Sequence, residues 1–245
     1  MSKNSLHAVY IETNRRMLAG CMFFVLMGCA GYTSAQNETD TYRLALDTVK
    51  VGQLPAGWKV SATNSEGPLA QWAVGVDTST NRPENILSIV RIQDVSTSVF
   101  NLNWTKQVVF QNGELSVRLR ANSGKEDQGG GIIWRVQDES NYYVARYNPL
   151  ESNFRLYFVE DGLRNTLASA EHLPGKSGVW NQIRIEHHGQ HIQGWFNNSL
   201  AWEINDTHLP NAGGVGLWSK ADAASSFAVF KVRFDLAGKS MVAPK

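Results

Sequence analysis

Apolar and polar residues alternate with a period of two through most of this chain, and that pattern excludes most folds. Leu115, Val117 and Leu119 alternate with Ser116, Arg118 and Arg120. Phe154, Leu156 and Phe158 alternate with Arg155, Tyr157 and Val159. Ile183 and Ile185 alternate with Gln182, Arg184 and Glu186, and Phe227, Val229 and Lys231 with Ala228, Phe230 and Val232. Successive side chains of a strand point to opposite faces, so the pattern predicts half-buried antiparallel strands. Turn-forming pairs separate the runs: Asn112-Gly113, Asp138 to Asn141, Asp161-Gly162, Gly189-Gln190 and Asn197-Asn198. About a dozen strands are expected between Tyr42 and Asp235, and no stretch keeps helical spacing. A sandwich or barrel follows, and the strand number favours an all-β, two-sheet antiparallel jelly roll. Residues 41–237 show no repeat or linker, and 238–245 read as a disordered tail.

The first 35 residues follow other rules. Arg15 and Arg16 precede an apolar run from Met17 to Gly28, too short to span a bilayer comfortably. The pattern predicts a signal peptide over 1–35. Thr33-Ser34-Ala35 offers small residues before a cut at Gln36. Leu26-Met27-Gly28-Cys29 offers the alternative of a lipobox with a lipid anchor on Cys29. A buried N-terminal helix is the structural alternative, and the polar lead before Arg15 leaves Met17 as another start. The expected localisation is extracytoplasmic: periplasmic, secreted or outer-membrane lipoprotein. Cys21 and Cys29 are the only cysteines, so the exported domain has no disulfide or thiol chemistry. A chain of 245 residues can bury a sufficient core without staples. Its 23 basic and 22 acidic residues give +1, and removing 1–35 leaves −1. No global basic field is left for nucleic acid, and no transmembrane helix is expected in the mature protein.

The most informative strings are Gly129-Gly130-Gly131-Ile132-Ile133-Trp134-Arg135, Asn141 to Asn148, Asn153 to Tyr157, and Gly214-Val215-Gly216-Leu217-Trp218-Ser219-Lys220-Ala221-Asp222 followed by Phe227. Over roughly residues 50–235 the chain resembles the concanavalin A-like lectin/glucanase superfamily. More narrowly it is similar to exported bacterial laminin-G-like and 3-keto-disaccharide hydrolase-like domains. The resemblance implies the concanavalin A-like jelly roll. It does not imply one activity, because lectins, glycosidases and lyases share that fold. The family-16 glycosidase string Glu-x-Asp-x-x-Glu is missing, and Glu203-Ile204-Asn205-Asp206 has the wrong spacing.

Register follows from the turns. With Pro149 to Ser152 as a turn, Asn148 pairs with Asn153, Arg146 opposes Arg155, and Val144 opposes Tyr157. With Asp138 to Asn141 as a turn, Arg135 lies near Val144. Arg135, Tyr142, Arg146, Asn148, Arg155 and Tyr157 then share one face. Trp134, Tyr143, Ala145, Phe154, Leu156 and Phe158 share the other, which is expected to be core. Like charges directly across a strand pair are unfavourable. Arg146 and Arg155 therefore require an acidic side chain or an anionic ligand between them. Guanidinium forks suit carboxylates, and aromatic rings suit sugar faces. One expectation is a concave groove for a glycan or oligosaccharide; the other is a solvated face with local ion pairs. Trp218, Lys220 and Asp222 are candidates for one rim, with Trp218 as inter-sheet core and Lys220–Asp222 as a surface pair the alternatives.

His188 and His191 flank a turn, and a metal site there needs a third ligand. No metal or other cofactor is expected; calcium enters by superfamily analogy alone, since no Asp-x-Asp-x-Asp-Gly loop is present. The leading functional expectation is an exported carbohydrate-binding or surface-interaction domain. The resemblance implies a sugar-active hydrolase as the alternative, with no catalytic residue identified, and a structural envelope domain is the third.

Overall fold

The computed structural model describes residues 39–79 and 81–235. The segment expected to be a signal peptide, both cysteines and the 238–245 tail lie outside the described residues. Among the described residues fifteen strands form two antiparallel sheets packed as a sandwich, with one short 3-10 turn at Leu46–Thr48. No described helix is long and apolar enough to cross a membrane.

The larger sheet contains β1 (Thr39–Arg43), β3 (Gln71–Asp77), β4 (Glu84–Arg91), β6 (Gly113–Ser123), β11 (Trp180–His188), β12 (His191–Phe196), β13 (Ser199–Asn205) and β15 (Ala224–Asp235). Its order is β13-β12-β11-β6-β15-β4-β3, with β1 also pairing β15. The other sheet contains β2 (Lys59–Thr63), β5 (Phe100–Phe110), β7 (Gly130–Asp138), β8 (Asn141–Asn148), β9 (Asn153–Glu160), β10 (Leu163–Ala170) and β14 (Gly213–Lys220). Its order is β10-β9-β8-β7-β14-β5-β2. Four of the turns named above join paired neighbours, whereas Asn112-Gly113 carries the chain from β5 in one sheet to β6 in the other. The strands are fixed by local turn chemistry first and by long-range pairing, such as β7 with β14, second.

The inter-sheet core takes Leu115, Val117, Leu119, Ile183 and Ile185 from the larger sheet. Trp134, Tyr143, Ala145, Phe154, Leu156 and Phe158 come from the other. Each large side chain fully removed from water contributes about 1.5–3 kcal/mol. The smaller sheet departs from the half-buried expectation. Its outer face carries a second buried cluster that includes Leu102, Trp104, Ile133, Tyr142, Val144, Tyr157, Val159 and Trp218. The polar tips within it are satisfied: the Tyr142 hydroxyl meets the Thr63 hydroxyl at 2.8 Å and accepts the Trp218 indole N–H at 3.3 Å. Burial pushes the Tyr142 pKa well up, so that hydroxyl stays protonated.

Several register shifts break strict alternation, and two of them move residues singled out in the sequence. Val229 adopts φ +54, and the β15–β6 register shifts between Ala228 and Lys231. The extra residue lets Phe227 and Phe230 both enter the core while Val229 turns outward, 48% exposed. The expected grouping of Phe227 with Val229 on one face is thereby corrected. Arg135 adopts φ +48 inside a register shift between Trp134 and Asp138. Ile133, not Arg135, therefore lies opposite Val144.

Candidate functional site

The β8–β9 hairpin places polar groups beside the apolar outer cluster of the smaller sheet. Asn148 pairs with Asn153, Arg146 with Arg155 and Val144 with Tyr157. The Asn148 side-chain oxygen accepts the backbone N–H of Leu150 at 2.8 Å and of Glu151 at 3.3 Å, which folds the turn and carries Glu151 back over the hairpin. On the other side of Arg146 stands Gly131. A Cβ there would sit 2.0 Å from the Ala145 carbonyl oxygen, so only glycine fits against β8.

The repulsion expected between the two arginines is resolved from within the chain. Glu151 Oε2 accepts from Arg146 Nη2 at 3.0 Å, Arg155 Nη1 at 3.0 Å and Asn153 Nδ2 at 2.8 Å. Burial alone would raise the Glu151 pKa. The Asn153 amide and the guanidinium groups of Arg146, Arg155 and Arg164 outweigh it and hold the carboxyl below its ordinary range. Arg155 also donates to Glu171 at 3.2 Å. Asp127 closes the far side: Arg146 Nη1 lies 3.5 Å, Asn148 Nδ2 2.9 Å and Lys220 Nζ 3.0 Å from its oxygens. Asn148 Nδ2 reaches both Asp127 and Glu151, the latter at 3.3 Å. Their carboxylates therefore converge on one amide. Arg164 lies over the Tyr157 ring at 4.4 Å and near Phe100 at 5.2 Å and Trp218 at 5.9 Å. Burial above all lowers the pKa of its guanidinium, with Arg146 adding to the effect. Four cations face three carboxylates, Asp127, Glu151 and Glu171, and one positive charge is left over.

Three buried polar atoms here have no hydrogen-bond partner: Arg146 Nε, Asn153 Oδ1 and Arg164 Nη1. Arg146 and Asn153 are both almost wholly buried. An unsatisfied buried donor or acceptor costs roughly 1–3 kcal/mol, so three together need a reason.

The structure gathers Arg146, Asn148, Arg155, Tyr157 and Lys220, and it separates the other candidates. Arg135 is turned away by its bulge to one end of the sandwich. It donates to the carbonyl oxygens of Leu209 at 2.9 Å, Gln111 at 2.9 Å and Gly189 at 3.2 Å, clamping three connections together. Tyr142 and Trp218 lie in the outer apolar cluster, so Trp218 is neither an open rim nor inter-sheet core. Asp222 does not pair with Lys220, which goes to Asp127 instead. It accepts the backbone N–H groups of Lys125 at 2.6 Å, Asp127 at 2.9 Å and Glu126 at 3.1 Å and so shapes the loop that presents Asp127. His188 and His191 are cross-strand partners, but each imidazole meets its own carboxylate, Asp235 and Glu203, both at 2.6 Å. No group of three metal-ligating side chains occurs among the described residues. Asp127, Glu151, Asn153, Arg164 and Glu171 escaped the sequence reading. The Asp161-Gly162 turn holds the signal for one of them, since it sets Arg164 opposite Val159, two residues from Tyr157.

No protein-family model matches this chain, and neither does any curated protein. Solved structures do. The carbohydrate-binding module CBM66 from Bacillus subtilis aligns over 72% of this chain and 95% of its own, with 17% identity and a TM-score of 0.56. The carbohydrate recognition domain of Emp47p aligns over 80% and 94%, with 16% identity and a TM-score of 0.51. A Bacillus subtilis protein of unknown function with a galectin-like fold covers 73% and 89%, at 10% identity and a TM-score of 0.50. At such identities the likeness establishes the fold alone, a two-sheet antiparallel sandwich of the kind these structures share.

Proposed function

We propose that this domain binds carbohydrate on the outer face of the smaller sheet, at the patch formed by Arg146, Asn148, Asn153, Arg155, Tyr157 and Arg164. The observation that carries this reading is the set of unpartnered buried atoms. Arg146 Nε and Arg164 Nη1 donate, whereas Asn153 Oδ1 accepts. A sugar hydroxyl both donates and accepts, so neighbouring hydroxyls of one ring match a mixed set of this kind. The near-neutral charge balance favours an uncharged glycan over the acidic one that the arginines alone suggest. That two structural neighbours are a carbohydrate-binding module and a carbohydrate recognition domain supports the same reading.

One observation favours hydrolysis: Asp127 and Glu151 both accept from the Asn148 amide, at 2.9 and 3.3 Å, and glycosidases act through a pair of neighbouring carboxyl groups. A glycosidase acid, however, needs a raised pKa to hold its proton. Glu151 is held in the opposite direction, and Asp127 is tied to Lys220 and Arg146. Binding without bond cleavage is the better fit. An extracytoplasmic location belongs to this proposal and rests on Arg15, Arg16 and the apolar run after them.

The test is a glycan array followed by calorimetric titration of the best ligand against Asn153→Ala, Arg155→Ala and Arg146→Lys. Each contact to a charged donor is worth about 1.5–3 kcal/mol and one to a neutral amide about 0.5–1.5 kcal/mol, so losses of tenfold or more are expected for the two arginine variants and a smaller loss for Asn153→Ala. A ligand that all three variants bind like the parent chain places the site elsewhere. Release of reducing sugar on incubation would restore the hydrolase reading.

A further inference from the structure

The larger sheet carries on its outer face the charge pattern that the smaller sheet neutralises. Arg43 of β1 lies directly opposite Lys231 of β15, Lys231 opposite Ser116 of β6, and Ser116 opposite Arg184 of β11. Arg184 in turn pairs with Trp195 of β12. Neighbouring strands are about 4.8 Å apart, so the row presents cations at about 5 Å and then about 10 Å spacing across the sheet. Arg43 and Lys231 repel each other, as Arg146 and Arg155 would without Glu151. Here no carboxylate intervenes between Arg43 and Lys231: among the described residues the ion pairs of the neighbouring cations engage Arg118, Arg184 and Arg233.

The row borders a groove of about 490 Å³ whose lining includes Arg43, Arg118, Arg184, Lys231, Trp180 and Val229. Glu114 is the one carboxylate in that lining, and it is already shared by Arg184 at 3.4 Å and Arg233 at 2.9 Å. The rest of the lining is neutral and polar: Ser116, Asn181, Gln182 and Asn197. Two of the cations are fixed in advance. The Arg184 guanidinium lies 3.6 Å from the Trp195 ring centre, and Arg118 lies 4.9 Å from that of Trp180. Donors held this way lose little freedom on binding. The Val229 bulge forms part of the same wall, in a conformation that is costly for a β-branched residue. Arg184 also pairs with Glu186, and Arg118 with Glu84 at 2.9 Å, so Arg43 and Lys231 are the cations of this lining without an ion pair among the described residues; beside amides and a hydroxyl they suit a ligand that carries both negative charge and many hydroxyl groups.

We infer that this groove is a second binding site, for the anionic groups of an acidic polysaccharide running across the strands. Its carboxylates or sulfates sit between Arg43 and Lys231 and reach toward Arg184, while its hydroxyls meet Gln182 and Asn197. The inference stands on this face alone and survives if the patch on the smaller sheet binds nothing.

The test is affinity electrophoresis in gels containing polygalacturonate, dextran sulfate or neutral dextran, at low and moderate salt. The R43Q/K231Q double variant is compared with K106Q/K176Q, which removes the same charge from exposed positions elsewhere. The parent chain is expected to be retarded by at least one polyanion and not by dextran. R43Q/K231Q is expected to lose tenfold or more in affinity, the scale of a lost charge-assisted contact, whereas K106Q/K176Q retains it. The preference between the two polyanions then tells carboxylate from sulfate. R43Q/K231Q is also expected to melt at the same temperature as the parent chain or higher, because a like-charge pair has been relieved; this separates lost binding from lost folding. Equal binding by the parent chain and R43Q/K231Q, equal loss in the two double variants, or no retardation of the parent chain by either polyanion overturns the inference. Sedimentation with phosphatidylglycerol vesicles but no polyanion binding overturns it too, in favour of a membrane surface.

Discussion

Replacing Glu151 by glutamine removes the one charge that two facing arginines share, and the cost can be bracketed from the geometry. The Arg146 side chain is 1% exposed and that of Glu151 43% exposed. Breaking a fully buried ion pair costs about 3–5 kcal/mol, while an exposed pair is worth about 0–1 kcal/mol. Arg146 keeps Asp127 at 3.5 Å, and water reaches the Glu151 side. The expected loss for Glu151→Gln is therefore about 1–3 kcal/mol. At about 2–4 °C per kcal/mol for a domain of this size, melting resolves it. Double-mutant cycles by urea denaturation sharpen the claim. The Glu151–Arg146 coupling should exceed the Glu151–Arg155 coupling, because Arg155 is 32% exposed and also holds Glu171. The pH dependence has a definite sign. Glu151 has a folded pKa below its ordinary 4.5, so its contribution is complete above that value and is lost as pH falls through the lower folded value. The parent and Glu151→Gln stability curves should accordingly converge in acid. Curves that stay parallel down to that range, or a larger coupling to Arg155, would refute the shared-carboxylate account.

Arg135→Met should destabilise the domain by about 3–5 kcal/mol in chemical denaturation, since three connections lose their common donor; a loss below about 1 kcal/mol would contradict the clamp. Val229→Gly should raise stability by roughly 0.5–1 kcal/mol in a thermal melt, because it relieves a left-handed β-branched residue that buries little; destabilisation would show that the Val229 side chain packs usefully. His187 accepts the Trp134 indole N–H at Nδ1, 3.0 Å, and faces the Gly189 carbonyl with Nε2, 3.1 Å, so it carries its proton on Nε2. Burial, helped by Arg135, lowers its pKa from 6.5 to about 3. Below pH 6.5 the unfolded chain takes up a proton that the folded one refuses. Stability should thus fall toward acid by up to about 1.4 kcal/mol per pH unit. That slope should flatten in His187→Gln, and an unchanged slope there would assign the acid sensitivity to other groups.

The strand pattern and the hairpin register were legible because they depend on neighbours in sequence. Pro149 to Ser152 is short and unbulged, so counting back from it places Arg146 opposite Arg155 correctly. The same counting fails for Arg135, where Arg135, Val136 and Gln137 stand against Tyr142 alone, two extra residues that nothing in the composition marks. The Asp127–Lys220 contact joins residues 93 apart and exists only because β14 lies beside β7. Which of two acceptable partners would settle the arginine pair, a side chain or a ligand, was likewise a matter of how Glu151 folds back from its turn. The buried outer face of the smaller sheet did leave a trace: Val144 and Val159 share a side with Arg146 and Arg155, and a face meeting only water has little use for them.

The Val229 bulge has a consequence for how this strand tolerates changes in length. Two residues, Val229 and Phe230, stand where β6 offers one, so the strand already contains a natural insertion. Deleting Val229 would leave Ala228 opposite Arg118 and bring Phe230 opposite Val117. Phe227, Phe230 and Val232 would still face the core, and ordinary alternation would return. A deletion elsewhere in β15 would instead flip every residue beyond it to the wrong face. This strand therefore has one position where a shorter chain keeps its core, and the cost of losing it falls on the groove wall that Val229 forms.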